Sequence, residues 1–592
     1  MILVFGGTTE GRKAAEVLEE AGSPYFYSTK TGEQELTLHH GQRIDGALDG
    51  EAMVRFCQEH GIRLIVDAAH PFATILHQTI ADVASALNVS VVRYERIYPP
   101  RDSDITWIDD YTQVPTDIHT LLATTGVQSI GKLKWLEGKG VNIIYRILQR
   151  ESSIELAHRQ GASDEQLCFY PETIEADAML MKESGISGGF IEKVAEARRL
   201  GMRMIALKRP AIFNSESTAL PFNFDLVNGP YGLRRAVEKF LPDFFPLHSG
   251  LTTGTCATAA AIAAAMRRMK GKMPDQVPVL LPNGETIQVA VGYGNGYAFC
   301  IKEAGDDPDV TNGIEVRVSL IPSPSPTSEG NIEIVGGEGV GRFTLPGFDY
   351  PPGEAAINKG PREMIRRNLE QYAIDSTPLT VRISVPHGAE IATRTFNPRL
   401  GIEGGISIIG VSGIVMPFSE EAFIDSIRKC MNVAKASGSE RVVINSGAKS
   451  ERFIKAIYPS LPQQAFVEYG NYIGETLKIA NELGIQQVTL GVMLGKAVKL
   501  AQGHLDTHSR KTVMDKDFIR QMLVEAHCNI DISSITLARE LWNCLHDDGR
   551  TEFAQTVIHH CYEHCKPLLP DGSLTILLID DEGNIYATPP SR

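Results

Sequence analysis

The first residues that could do chemistry are Gly6, Gly7, Thr8, Thr9, Glu10 and Gly11. They follow the apolar run Ile2–Phe5 and precede a stretch with helical periodicity. A glycine turn between strand and helix lets the backbone approach a pyrophosphate, while the helix start offers unpaired N–H groups. Thr8 stands where a dinucleotide fingerprint has its second glycine, so a tight turn without a ligand is the competing reading. The next strand candidate ends in Ser28-Thr29-Lys30 and lacks the usual acid. Hydroxyls and a lysine there suit a 2′-phosphate, which tilts the cofactor toward NADPH over NADH. His70 lies in 67–73, at the end of a third strand. It either meets a substrate and supplies a proton, or caps and packs a helix.

Further along, Thr252-Thr253-Gly254-Thr255 leads into an alanine-rich helix, and hydroxyls with free amides at a helix start can hold an anion. Cys256 follows, as a nucleophile at that helix start or as a thiol with no base nearby. Asp306, Asp307 and Asp309 gather three carboxylates, as metal ligands, as bases, or as the residues a turn prefers. The run 559–565, rich in His and Cys, and the pair His504 and His508 pose the same choice between metal binding and packing.

These residues need elements to carry them. Up to about residue 100 the pattern alternates, with strands at 2–5, 25–28, 64–68 and 89–93 and helices at 12–21, 51–60 and 72–87. A second alternating block has strands at 118–123, 141–148 and 204–207 and helices at 176–183 and 190–200. Such alternation specifies parallel sheets with helices on both faces. A helix at 234–239 and the two prolines of 240–246 mark a boundary. Beyond it come a helix at 257–269 and strand-like runs at 277–281, 286–290, 299–302, 315–321 and 379–385, an α+β pattern. The proline-rich segment 322–326 reads as a loop.

From 401 the alternation returns, with strands at 406–409, 441–445, 465–468 and 487–490 and helices at 420–436, 451–456 and 474–483. The loops at 410–413, 446–448 and 469–471 end strands, where open α/β sheets bind ligands. The expected class is α/β multidomain. Two Rossmann-like lobes, about 1–105 and 106–242, precede a linker at 243–247. An α+β lobe, about 248–398, and a further parallel α/β lobe, about 399–592, follow.

At 592 residues the chain is too long for one core. Hydrophobic residues at 43% and charged residues at 22% are those of a globular protein, and no apolar run approaches a membrane span. A net charge of −15 argues against nucleic acid, although an anionic ligand remains compatible with local clusters of cations. Nine scattered cysteines and an N-terminus without a basic leader read as a cytoplasmic protein with reduced thiols. Assembly into a homo-oligomer stays open.

The ordered set 6–11, 67–73, Thr124-Thr125-Gly126, Lys182-Glu183-Ser184-Gly185, Gly188-Gly189 and Lys193 resembles the precorrin-6A reductases of cobalamin biosynthesis, over roughly residues 1–242. That resemblance implies hydride transfer from NADH or NADPH to a macrocycle double bond. Ile186-Ser187 departs from the family pattern. Segments 249–259, 304–313, 337–341, 351–362, 386–390 and 397–410, with Thr507-His508-Ser509, resemble the cobalt-precorrin-5B C1-methyltransferases.

The second resemblance implies methyl transfer from S-adenosylmethionine to a corrinoid precursor, with cobalt present only as part of the substrate. Gly404, Gly405, Gly410, Ser412, Gly413, Gly470 and Asn471 are then expected at S-adenosylmethionine. Thr252, Thr253, Gly254, Thr255, Asp306, Asp307, Arg399, Lys496 and His508 are expected at the anionic cobalt-tetrapyrrole. The two reactions are consecutive, because the methylated product, cobalt-precorrin-6A, is the substrate that the reductase converts to cobalt-precorrin-6B. Two other readings compete. One is a short-chain or nucleotide-sugar reductase fused to an unrelated domain, which requires a Tyr-x-x-x-Lys pair that is not suitably placed. The other is a non-catalytic nucleotide-sensing scaffold.

Overall fold

The structure, a computed structural model, describes residues 1–30, 32, 34–211, 222–322, 331–372, 378–508, 515–533, 535 and 537–587. The chain forms two compact units, Met1–Ser249 with Pro278–Gln288, and Gly250–Val277 with Val289–Arg592. Both are mixed α/β.

In the first unit, β1 (Ile2–Phe5), β2 (Tyr25–Thr29), β3 (Gly41–Asp45), β4 (Leu64–Asp67), β5 (Ser90–Tyr94) and β12 (Phe224–Val227) make a six-stranded sheet ordered β12-β5-β4-β1-β2-β3. A second sheet, ordered β6-β11-β10-β7-β8-β9, contains β6 (Thr106–Ile108), β7 (Thr120–Ala123), β8 (Asn142–Ile147), β9 (Leu167–Phe169), β10 (Ala178–Lys182) and β11 (Arg203–Leu207). Every pairing in both is parallel.

Helices cover both faces of the first sheet, so its central strands are continuous apolar runs. Ile2 and Val4 pack with Ala14, Leu18, Leu233 and Val237 on one side. Leu3 and Phe5 pack with Met53, Cys57, Ile80 and Val83 on the other.

Two features depart from the sequence-based expectations. Residues 224–227, given no element by the sequence and falling within the bounds of the second lobe, form the strand Phe224–Val227, which returns to the first sheet and pairs with Val91–Tyr94. The segment 176–183, expected as a helix, is the central strand β10, flanked by β7 and β11. Ala, Met and Leu favour helix, and a strand buried on both faces shows no alternation to counter that preference. The first unit also takes in a tight turn from later in the chain. Glu285 accepts hydrogen bonds from Gly232 N at 2.9 Å, and Thr286 N donates to Asn228 Oδ1 at 2.8 Å.

In the second unit, the helix Thr253–Lys270 is buried from Thr253 through Ala265 and packs on strands Ala298–Ile301 and Glu315–Pro322 and helix Lys359–Leu369. Small alanine side chains permit that close approach. The sheet beneath runs Gly292–Tyr293, Ala298–Ile301, Glu315–Pro322, Leu379–Ser384, Ile332–Gly336; only its last pair is parallel. A final sheet orders Phe466–Glu468, Arg441–Asn445, Gln487–Met493, Ser573–Ile579 and Ile585–Ala587, all parallel except the last.

Residues 406–409, expected as a strand, make only isolated bridges through Ile406 and Ile408. They thread between other backbone segments: a Cβ on the adjoining Gly405 would lie 2.3 Å from the Gly339 carbonyl oxygen. The expected loop at 322–326 falls, from 323 on, outside the described residues, as does Ser509. Among the described residues no helix is long and apolar enough to cross a membrane.

Candidate active sites

The glycine turn of the first unit is shaped by close packing. A Cβ on Gly6 would lie 2.1 Å from the Tyr27 hydroxyl, and one on Gly11 would lie 2.6 Å from the Gly6 Cα. Gly7 has φ +80°, which side-chain-bearing residues rarely adopt. Thr8 caps the helix Thr9–Glu19, accepting from Gly11 N at 2.9 Å and donating to the Ala68 carbonyl at 2.6 Å. The threonine that breaks the fingerprint thus ties this turn to the end of β4. Gly7 N faces Gln34 Oε1 at 3.1 Å, and Thr9 is half-buried on the helix. The glycines are demanded by packing on Tyr27 and on the turn itself, and the amides of Gly7 and Gly11 already donate to Gln34 and Thr8.

Glu10 does not face that turn. It is buried, pairs with Arg96 Nε at 2.8 Å and accepts a hydrogen bond from Ser187. Arg96 also donates to the Ser184 carbonyl at 2.8 Å. Glu10 therefore ties the first sheet's turn to the 184–189 loop of the second, and Ser187, the departure from the reductase pattern, serves as one end of that tie. At the end of β2, Ser28 is buried, Thr29 donates to Asp45 at 2.8 Å, and Lys30 is exposed. Arg43, unremarkable in sequence, adds a second cation there, held by Asp45 at 2.9 Å and by the Gln34 carbonyl at 2.8 Å.

His70 follows β4 over a rigid base. Buried Asp67 meets Arg93 at 2.9 Å and His77 Nδ1 at 2.6 Å, and His77 Nε2 reaches the His70 carbonyl at 3.1 Å. The Phe72 amide donates to His70 Nδ1 at 3.2 Å, which leaves the ring proton on Nε2. Burial, with Arg96, Lys182, Arg93 and Lys193 around it, pushes the imidazole down to about 3. His70 is thus a neutral ring that can donate one hydrogen bond.

Lys182 ends β10 with its ammonium 5.2 Å from the centre of the Phe72 ring. Burial, then Lys132 and Lys193, lowers it to about 8. Neither Lys182 nor Lys193 makes an ion pair among the described residues, although Glu192 and Glu196 act on Lys193 at longer range, whereas neighbouring Glu183 is held by Arg101 at 2.9 Å and Arg209 at 3.0 Å. Cations outside ion pairs among the described residues, beside a neutral hydrogen-bond donor, suit an anionic, polycarboxylate ligand. Lys182 and Lys193 stand in the motifs that carry the reductase resemblance but were given no binding role there, and Lys132 was not singled out.

In the second unit, the start of the helix Thr253–Lys270 is fully engaged by the chain itself. Thr252 Oγ1 accepts from Thr255 N at 3.1 Å. Thr253 Oγ1 accepts from Ile409 N at 2.9 Å, Thr255 Oγ1 donates to the Gly413 carbonyl at 2.6 Å, and Gly254 N donates to the Ile409 carbonyl at 2.9 Å. The Thr253 and Thr255 hydroxyls hold the 407–413 segment, and the Thr252 hydroxyl caps its own helix. Gly410, at φ +146°, would put a Cβ 2.4 Å from Thr252 Oγ1, and Ser412 donates to the Ile414 carbonyl at 2.9 Å. Of the expected S-adenosylmethionine residues, Gly405, Gly410, Ser412 and Gly413 are thus committed to packing, while Gly404 turns in open space at φ +79°. Cys256 is fully buried.

The three carboxylates separate. Asp309 pairs with Lys302 at 2.7 Å, Asp307 accepts from Phe418 N at 3.4 Å, and Asp306 is exposed. His504 and His508 lie beyond the end of the helix Leu494–Ala501, so their spacing of four is not a helical one. Cys561 and Cys565 face the core, with burial pushing both thiols up, and His560 meets Glu525 at 2.7 Å.

The remaining expected residues gather at the carboxyl-terminal edge of the last sheet. Lys496 donates to the Gly470 carbonyl, and Thr507 N donates to the Asn471 carbonyl at 3.0 Å. Arg399 pairs with Glu451 at 2.9 Å.

Three family models match the chain. Residues 1–223 match the family model "Precorrin-6x reductase CbiJ/CobK". Residues 243–417 match the model "CbiD", and residues 506–590 match "CbiD, C-terminal domain". A cobalt-precorrin-5B C(1)-methyltransferase of Prosthecochloris aestuarii is 41% identical over 349 residues, 56% of this chain and 94% of that protein. One from a Geobacillus species is 40% identical over 328 residues, 53% of this chain and 88% of that protein. Among solved structures, a cobalamin biosynthesis protein (cbiD) from Archaeoglobus fulgidus is 28% identical with a TM-score of 0.26, covering 45% of this chain and 83% of its own. A CobK precorrin-6A reductase is 17% identical with a TM-score of 0.32, covering 40% of this chain and 96% of its own. The chain therefore belongs to the cobalt-precorrin-5B C(1)-methyltransferase family, and its residues 1–223 match the precorrin-6x reductase family model.

Proposed function

We propose that the second unit transfers a methyl group from S-adenosylmethionine to C1 of cobalt-precorrin-5B, and that the first unit reduces the resulting cobalt-precorrin-6A with NADH or NADPH. The observation that carries the reductase reading is the pair of cations, Lys182 and Lys193, in no ion pair among the described residues, beside neutral His70. The lysines bind substrate carboxylates, and His70 Nε2 donates to a polar edge of the macrocycle. Gly6, Gly7 and Gly11 admit the nucleotide's pyrophosphate. Lys30 and Arg43 favour the 2′-phosphate of NADPH. The bound nicotinamide supplies the hydride.

For methyl transfer the donor is already activated, so alignment and exclusion of water are the protein's share. Gly470, Asn471 and Lys496 frame the donor site at the edge of the last sheet. Joining consecutive steps in one chain raises the local concentration of the shared intermediate.

The test is anaerobic incubation with cobalt-precorrin-5B, S-adenosylmethionine and each nicotinamide in turn, read by mass. The expected product gains one methyl and two hydrogens, with stoichiometric nucleotide oxidation. A chain that leaves cobalt-precorrin-6A unreduced and its nucleotide unconsumed overturns the reductase half. One that adds no methyl overturns the other half.

A further inference from the structure

The last sheet has the order of an open, doubly wound arrangement. From Arg441–Asn445 the chain moves outward to Phe466–Glu468, then crosses back to Gln487–Met493 on the other side of its starting strand. Ligands of such sheets bind at the carboxyl ends of the strands where the winding reverses. Two residues face each other there. Gly447, in the turn after the first of these strands, has φ +139° and no side chain, and a Cβ on it would lie 3.3 Å from Glu468 Oε1. Glu468 ends the adjacent strand, in register with Asn445.

Most polar groups around this edge are occupied. The Asn445 side chain binds the Val467 carbonyl and Gly447 N, at 3.3 and 3.0 Å. Buried Tyr469 donates to the Gly491 carbonyl at 3.3 Å. Glu451 is held by Arg399 and Lys455, at 2.9 and 2.7 Å. Glu468 is the exception: it is half-buried, and its carboxylate makes no hydrogen bond or ion pair with any described residue. Burial raises its pKa, Glu451 adding to the effect and Arg399 and Lys496 opposing it. A carboxylate only accepts hydrogen bonds, and a vicinal diol offers two O–H donors at the matching separation.

We infer that Glu468 receives the ribose hydroxyls of S-adenosylmethionine, with the bare backbone at Gly447 admitting the nucleoside beside it. The inference rests on the methyltransferase reading above and adds a residue that none of the motifs singled out.

The test is equilibrium dialysis of the full chain against S-adenosylhomocysteine and its 2′-deoxy and 3′-deoxy analogues. The natural chain should bind each deoxy analogue roughly tenfold or more weakly than the parent, because each leaves the carboxylate short of a donor. Glu468→Gln should bind the parent roughly tenfold more weakly and should lose most of that discrimination. Its urea midpoint and circular dichroism should match those of the natural chain, which reports that the second unit is folded. Equal affinity of the natural chain for parent and deoxy analogues overturns the inference without recourse to any variant. So does a folded Glu468→Gln that retains the natural affinity and discrimination. A natural chain that does not bind S-adenosylhomocysteine fails differently, because it removes the methyl-donor reading itself.

Discussion

The turn after β1 and the turn after the strand Arg441–Asn445 hold the same position in their sheets. Each ends an internal parallel strand, contains glycine and opens a helix. They differ in what becomes of the nearby acid. At the first turn Glu10 is buried against Arg96 and Ser187, so the acid joins two sheets. At the second the acid of the neighbouring strand, Glu468, is left open. The start of the helix Thr253–Lys270 is a third case: its threonines look like an anion site, yet each hydroxyl already has a partner. Glycine and threonine therefore fix the path of the backbone, and binding capacity lies in the polar groups that packing leaves unengaged.

The largest effect should come from breaking the first turn's ion pair. Glu10→Ala leaves Arg96 buried without its counter-charge, and removing one partner of such a pair costs about 3–5 kcal/mol. Urea unfolding of the first unit should show that loss, and cobalt-precorrin-6A reduction should fall with it. If Glu10 contacts the cofactor instead, KM for the nucleotide would rise while the unfolding midpoint held, and the contrast between the two turns would collapse.

Next comes Thr253→Val, which keeps the shape and removes the hydroxyl. Ile409 N is then stranded, at a cost of about 1–3 kcal/mol. Stability of the second unit should drop while KM for cobalt-precorrin-5B stays put. A raised KM at unchanged stability would return these threonines to the substrate.

How much of this was legible beforehand depended on whether a local pattern matched the tertiary outcome. The alternation of apolar runs and helical stretches located β1, β2 and β4 because half-exposed helices separate them clearly. It failed at β10, where helix-favouring residues sit in a strand buried on both faces, and the position of Lys182 went with it. It also missed Ser573–Ile579, which pairs with a strand 86 residues earlier, a register no local signal carries. Site residues were legible by type more than by role. Lys496 and Asn471 do lie at the edge of the last sheet. Whether a threonine or an acid is engaged by the fold is settled by partners far along the chain, as Glu10 by Ser187 and Thr255 by Gly413.

A smaller effect separates the open cations of the first unit from the paired ones around them. Lys182→Met should raise KM for cobalt-precorrin-6A by about tenfold, equivalent to about 1.4 kcal/mol, with methyl transfer untouched. The pH dependence sharpens this. Lys182 is charged below about 8 and loses its proton as pH rises through that value, so the natural enzyme should bind its anionic substrate less well above pH 8. The methionine variant should lack that change. A KM that still climbs in the variant assigns the titration elsewhere, Lys193 being the nearest alternative.

The smallest effect concerns His70, and it is an expected absence of titration. An imidazolium acting as proton donor would give the reductase a limb near the ordinary histidine value of 6.5. Burial among Arg96, Lys182, Arg93 and Lys193 makes a further positive charge unfavourable, and the Phe72 amide already occupies Nδ1. The ring should stay neutral down to about 3, so kcat/KM for reduction should show no His70-dependent inflection between about pH 5 and 8. His70→Gln, which can still donate one hydrogen bond, should then retain most activity, whereas His70→Leu should lose the donor and raise KM. If a limb near 6.5 is present and disappears in His70→Gln, His70 is the proton donor. An acid would then have to stand among these cations, and the division between engaged acids and open bases in this unit would no longer hold.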